Sequence, residues 1–167
     1  MRQVATGLLS RIENRFYKAL RHPAAHSVAL ASPAGRLADL RRHNYCLIVT
    51  YKRSGDAVPT PVWFGIADGK LFVVTDVDSV KVKRIRANPR VRVAPCSLRG
   101  RPLGPPLEGE ARVLSPAERQ VGERAIAGHY GLARRIYERA FGANGLRRAR
   151  AAYIEVTPLG GEPGSAP

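Results

Sequence analysis

A mainly β chain with helices, a β-barrel of the α+β kind with about six antiparallel strands, is predicted by three features of the sequence. Tyr45, Leu47, Val49 and Tyr51 alternate with Cys46, Ile48 and Thr50, which is the period of a strand. Asp68-Gly69 stands between two β-rich runs as the two-residue signal of a type I′ hairpin. Ser115-Pro116-x-Glu118 is a capping box with proline at the first helical position, and it opens a helical insertion before a last β-rich run. This order of elements suits a small barrel, which closes its sheet and leaves no exposed edge. The 167 residues, 44% of them apolar, suffice for one domain with an ordinary core.

In chain order, residues 2–21 place Val4, Leu8, Leu9, Ile12, Phe16 and Leu20 at three- and four-residue spacing, with Arg2, Arg11, Arg15, Lys18 and Arg21 elsewhere on the wheel. An amphipathic helix is expected there, able to pack on its own domain, on a partner or on a membrane surface. Pro23 ends it, and the Ala-, Pro- and Ser-rich residues 22–35 read as a linker, so residues 1–36 form an N-terminal helix and linker. From Leu37 a short helix leads into strand one, residues 44–52, and Ser54-Gly55-Asp56 supplies a turn. Strand two covers residues 57–67 and strand three residues 70–76, and these three are expected to form an antiparallel meander. Residues 79–88 read as a short basic helix ended by Asn88-Pro89. Strand four follows at 90–97 and strand five at 107–114, across a loop rich in Pro and Gly. The helical insertion runs to about Phe141 with a break near residues 128–131, and a strand over 151–157 completes a domain of residues 37–158. Residues 159–167 are expected to be a disordered tail.

Lys and Arg number 28 against 13 Asp and Glu, a net charge of +15. Such a field favours a polyanionic partner, whether nucleic acid, an acidic membrane or a phosphate-rich small molecule. A GC-rich genome that prefers Arg to Lys accounts equally well for part of the excess. No run of five like charges and no recognition motif accompanies the charge, so no nucleic-acid partner is expected. No span of about 18 apolar residues exists, and Arg11, Glu13 and Arg15 interrupt any signal-like run, so a cytoplasmic protein is expected, with peripheral membrane contact confined to residues 2–21. Cys46 and Cys96 lack CxxC spacing and read as reduced thiols. With no His or acid beside it in sequence, Cys96 reads as a small core residue rather than a nucleophile. His22 and His26 are spaced i,i+4, but Pro23 breaks the helix that would align them, and no metal site is expected. The absence of Walker A and GxGxxG sequences excludes the usual α/β routes to nucleotide binding.

The informative stretch is Thr60-Pro-Val-Trp-Phe64, then Thr75, then Ser79-Val-Lys-Val-Lys-Arg-Ile-Arg86, Asn88-Pro-Arg-Val91 and Ala94-Pro-Cys96. A strand end feeding a short helix that starts with Ser79 offers backbone N–H groups, a hydroxyl and the positive dipole end to an anion, and Lys81 and Lys83 add charge beside it. A phosphate fits there. The plainer reading of a basic amphipathic helix is a solvated face.

These runs, together with Thr50-Tyr-Lys-Arg-Ser-Gly55, closely resemble the split β-barrel flavin and deazaflavin oxidoreductases, the pyridoxamine 5′-phosphate oxidase-like superfamily. Within it they resemble best the branch that uses coenzyme F420, and the similarity spans about residues 37–158. The resemblance implies that Thr60, Pro61, Val62 and Trp63 lie along the ring system and that Thr75, Ser79 and Lys81, with Val82, hold the phosphate. It also implies that Lys83 and Arg84 meet the phosphate or an acidic tail, and that Pro95 and Cys96 lie near the cofactor. The flavin mononucleotide (FMN) oxidases carry Arg and Lys where this chain has Pro59 and Phe64, and Arg where it has Val80, so FMN is the second choice of cofactor. Many deazaflavin relatives have Gly at the position of Val80. The implied activity is hydride transfer from the reduced deazaflavin to an unsaturated organic substrate, in a homodimer with the cofactor at the subunit interface. The catalytic residue is unassigned, with Tyr51, Lys52 and Arg53 as candidate proton donors. A non-catalytic binder that stores or senses a flavin, deazaflavin or haem-type ligand, and an FMN-dependent oxidase-like enzyme, are the alternatives.

Overall fold

The computed structural model describes residues 22–141 and 150–160. The helix expected over residues 2–21 and the tail from residue 161 lie outside the described residues. Among those described, seven strands form one antiparallel sheet: β1 (Tyr45–Tyr51), β2 (Ala57–Val62), β3 (Phe64–Ala67), β4 (Lys70–Asp76), β5 (Arg90–Cys96), β6 (Leu107–Val113) and β7 (Ala151–Pro158). Their order is β2-β1-β5-β6-β7-β4-β3. The two edge strands, β2 and β3, follow one another in the chain with only Trp63 between them, so the sheet curls until its edges approach.

The strand expected over residues 57–67 is therefore two strands, and the expected meander does not form: β2 pairs with β1 while β3 pairs with β4. Proline supplies the reason. Pro59 and Pro61, at alternate positions of β2, remove N–H donors from one side of the strand, which suits an edge and not a strand paired on both sides. Counted through Trp63 as a single strand, β2 and β3 restore the six that the sequence predicts.

All five central residues of β1 are buried, because both of its faces are covered. On the inner face Cys46 and Ile48 join Phe64, Leu71, Val93 and Ile154 in the main core. On the outer face Leu47 and Val49 pack with Ala94 and Cys96 against Ala25 and Val28 of a 3-10 helix, Pro23–Ala29. The segment read as a linker is thus part of the barrel wall. Arg92 of β5 holds it there, donating to Ala29 O at 2.6 Å and Ala31 O at 2.9 Å while pairing with Glu108 at 2.8 Å.

Among the described residues, three α-helices complete the fold. In α1 (Leu37–Leu40) the Asp39 carboxylate accepts from the Arg36 N–H at 2.9 Å, and in α2 (Val80–Ala87) Ser79 is the N-cap. α3 (Arg119–Phe141) follows the expected capping box, in which the Glu118 carboxylate accepts from the Ser115 N–H at 3.0 Å. Gly131, at φ 48° and ψ −124°, breaks α3 within the expected stretch. Helix α3 lies so close to β3 that a Cβ on Gly65 would stand 2.3 Å from the Ala125 carbonyl. Beside the break, the Tyr130 hydroxyl accepts from the Phe64 N–H at 2.9 Å and donates to Asn44 O at 2.6 Å. The Trp63 ring sits between Tyr45 and Tyr130, with centroids 5.2 and 4.6 Å away.

Tyr130→Phe removes one partner from a buried N–H and one from a carbonyl, so it should destabilise the fold by about 1–3 kcal/mol. Urea unfolding checks this, with the midpoint falling and the slope unchanged. Glu118 titrates at about 2, below its ordinary 4.5, because the Ser115 N–H and hydroxyl and then Arg112 stabilise its carboxylate. A depressed carboxyl stabilises the fold above its unfolded value and loses that effect as pH falls through the folded one, so the cap should weaken between about pH 4.5 and 2. Carboxyl-carbon NMR titration of Glu118 should show that low midpoint.

Candidate functional site

Strand β4 ends at Asp76, and the turn after it delivers Ser79 to the N-terminus of α2, four residues beyond Thr75. The hydroxyls of Thr75 and Ser79 lie 3.3 Å apart, and the Lys81 ammonium donates to Thr75 Oγ1 at 3.3 Å. Ser79 Oγ accepts from the Val82 N–H at 3.4 Å, as an N-cap should, while the Val80 N–H has no partner among the described residues. Two hydroxyls, an ammonium and a helix N-terminus thus converge, a donor set whose chemistry fits a phosphate.

Two carboxylates, Asp76 and Asp78, stand close in sequence and would repel such a ligand. Arg150, just ahead of β7, pairs with both of them, at 3.5 Å to Asp76 and in direct contact with Asp78. Arg150 was not among the sequence candidates, since only the pairing of β4 with β7 brings residue 150 beside residue 76.

One turn along α2, Arg84 is half-buried on the same side as Lys81 and donates to Thr50 Oγ1 of β1 at 3.5 Å. Burial lowers the pKa of its guanidinium. Thr50 itself is buried and was missed as a site residue; its signal is a lone hydroxyl that continues the Cys46, Ile48 side of the strand. Lys83 is exposed on another side of α2. Val82 is fully buried, and its N–H donates to Ser79 Oγ.

The strand candidates fall on two faces of the sheet. β2 and β5 flank β1, and the register sets Val62, Cys46 and Pro95 in one row and Thr60, Ile48 and Val93 in another, both on the inner face. Pro61 and Cys96 lie in rows with Leu47 and Tyr45 on the opposite face. There Cys96 is buried under the 3-10 helix, away from the Thr75, Ser79 and Lys81 cluster. Burial pushes the Cys96 thiol up to about 12, and burial followed by the charge of Cys96 raises Cys46 well above its ordinary range, Lys81 opposing the rise. Both are protonated thiols near neutral pH, as expected of core residues.

A curled antiparallel sheet with a hydroxyl and ammonium cluster at one helix N-terminus defines the split β-barrel class, whose members bind flavin-type cofactors. The chain belongs to the pyridoxamine 5′-phosphate oxidase family, whose model matches residues 36–158. No curated protein matches it. Among solved structures, it is similar to a protein assigned to 5-nitroimidazole antibiotic resistance from Bacteroides thetaiotaomicron, at 13% identity and a TM-score of 0.55, covering 73% of this chain and 77% of that one. A protein assigned as a pyridoxamine 5′-phosphate oxidase from Listeria innocua is similar at 18% identity and a TM-score of 0.53, with coverage of 73% and 89%. A FAD-binding protein from Mesorhizobium loti follows at 14% identity and a TM-score of 0.51, with coverage of 73% and 86%. At these identities the likeness is one of fold.

A thiol-specific disulfide reagent at about pH 8 should modify neither cysteine in the folded protein and both after denaturation, because thiol reactivity follows thiolate fraction and access. Prompt labelling of the native chain would contradict the burial described.

Proposed function

We propose that this chain is a deazaflavin-dependent oxidoreductase, binding coenzyme F420 and passing hydride from its reduced form to an unsaturated organic substrate. The observation that carries the reading is the Thr75, Ser79 and Lys81 cluster, cleared of competing negative charge by Arg150. When bound, the reduced cofactor would supply a hydride, two electrons with one proton, and the substrate's double bond would take that hydride together with a second proton. The protein's part is to hold and orient. Lys81, the two hydroxyls and the Val80 N–H would anchor the phosphate, while Arg84 with Thr50 would meet a second anionic portion of the ligand one helical turn away. Thr60, half-buried on the inner face of β2, lies on the side of the barrel from which a ring system would be held.

Two positions favour the deazaflavin over FMN. Phe64 is fully buried in the core and Pro59 is buried in an edge strand, so neither offers the cation that the FMN oxidases place there. Hydride transfer from a bound cofactor needs no protein nucleophile. Two copies would assemble as a homodimer with the cofactor between them.

Fluorescence titration with coenzyme F420 and, separately, with FMN tests the reading. The deazaflavin should bind more tightly, and Lys81→Ala should weaken it by about 10- to 100-fold, the range of a lost charge-assisted hydrogen bond. The variant should keep the wild-type unfolding midpoint, since a half-exposed lysine contributes little to stability. Tighter binding of FMN would place the chain with the oxidases. Binding of neither would overturn the cofactor assignment.

A further inference from the structure

The connection between β5 and β6 holds two leucines out in solvent on a rigid frame. Ser97 N donates to Arg101 O at 3.0 Å, Gly100 N to Ser97 O at 2.8 Å and Arg101 N to Ser97 Oγ at 3.1 Å, closing the turn on itself. Pro102 bridges back to Cys96, and Leu103 N donates to Pro95 O at 2.8 Å. Gly100, at φ +80°, lies so close to the barrel that a Cβ there would stand 2.9 Å from the Pro61 ring. His22 N donates to Arg99 O at 2.8 Å, fixing the turn to the 3-10 helix. On this frame Leu98 is 67% exposed and Leu103 50% exposed, although Gly100 between them is buried.

The flanking charge is of one sign. Arg99 and Arg101 are both exposed, and residues 79–107 hold eight Lys and Arg without a single Asp or Glu. Exposed apolar tips set among guanidinium groups, on a turn free of carboxylates, match the chemistry of an interface in which acyl chains lie beneath anionic headgroups.

We propose that residues 97–103 form a docking loop for an anionic lipid surface. Leu98 and Leu103 enter the boundary between headgroups and acyl chains, and Arg99 and Arg101 meet lipid phosphates. The loop lies between β5 and β6, whereas the phosphate-fitting cluster lies between β4 and α2, so the proposal is independent of the cofactor reading.

The test is co-sedimentation of the full chain with vesicles of phosphatidylcholine alone and of phosphatidylcholine mixed with phosphatidylglycerol. The wild type should bind the mixed vesicles, less so as salt is raised, and the double variant Leu98→Ser, Leu103→Ser should bind them at least about tenfold more weakly. Residues 2–21 are present in both proteins, so the difference belongs to the loop. In Leu98→Trp, a blue shift of emission on adding mixed vesicles, beyond any shown by the wild type with Trp63 alone, reports entry of the tip into the bilayer. Equal binding by wild type and double variant, no binding by the wild type, or no added shift in Leu98→Trp would each overturn the proposal. So would a double variant that changes only the oligomeric state in size-exclusion chromatography, which would make the loop a contact between copies.

Discussion

The Tyr130 hydroxyl holds the point where the barrel closes. The chain leaves β2 at one edge of the sheet and enters β3 at the other within a single residue, and a strand cannot reverse its partners so abruptly without unpaired backbone groups. Tyr130 answers both sides of the problem, accepting from Phe64 at the start of β3 and donating to Asn44 just ahead of β1. The Trp63 ring, packed between Tyr45 and Tyr130, fills the corner. His129 adds a ring contact to Phe64 at 4.4 Å and a hydrogen bond with His43 O at 2.9 Å. One turn of α3 therefore ties both ends of the curled sheet, and the Gly65 contact with Ala125 sets how near that helix can lie.

The site depends on that closure through β4. With β3 fixed, β4 takes its register against β7, and this pairing brings Arg150 to Asp76 and Asp78 while Thr75 points its hydroxyl at Ser79. Helix α2 then starts beside neutralised carboxylates, with Val82 and Ile85 buried, Lys81 turned toward Thr75 of β4 and Arg84 toward Thr50 of β1. The apolar positions of the helix orient its cations: burying Val82 and Ile85 leaves Lys81 and Arg84 on a flank that reaches Thr75 and Thr50, and sends Lys83 to solvent.

Local signals were legible where local chemistry decides. Asp68-Gly69 turns the chain with both residues at positive φ, Ser79 caps α2, and the Ser115 to Glu118 box opens the insertion, because each is settled within four residues. The break of strand two at Trp63 was not read, since alternation continues through it and only the long-range pairing with β1 and β4 separates its halves. Pro59 and Pro61 carried the signal of an edge. The run at residues 22–35 looked like a linker because it is rich in Ala, Pro and Ser, yet Ala25 and Val28 pack on the outer face of β1. At the site, the cluster of Thr75, Ser79 and Lys81 lies within seven residues and was legible. Thr50 and Arg150 needed the fold, and so did the separation of Pro95 from Cys96, which one step of register sets on opposite faces of the sheet.

The distribution of charge explains why so basic a chain keeps its positive field where an anion could use it. Described carboxylates are largely engaged: Glu155 by Lys70 and Arg112, Glu118 by Arg112, Glu108 by Arg92, Asp76 and Asp78 by Arg150. Most of these pairs join β6 and β7, in the middle of the sheet order, to their neighbours. Residues 79–107 hold no carboxylate of their own. An exposed cation binds weakly by itself, because water and salt compete for it. Lys81 and Arg84 of α2 differ in being half-buried and held by hydroxyls, and there the same charge becomes a directed contact rather than a diffuse attraction.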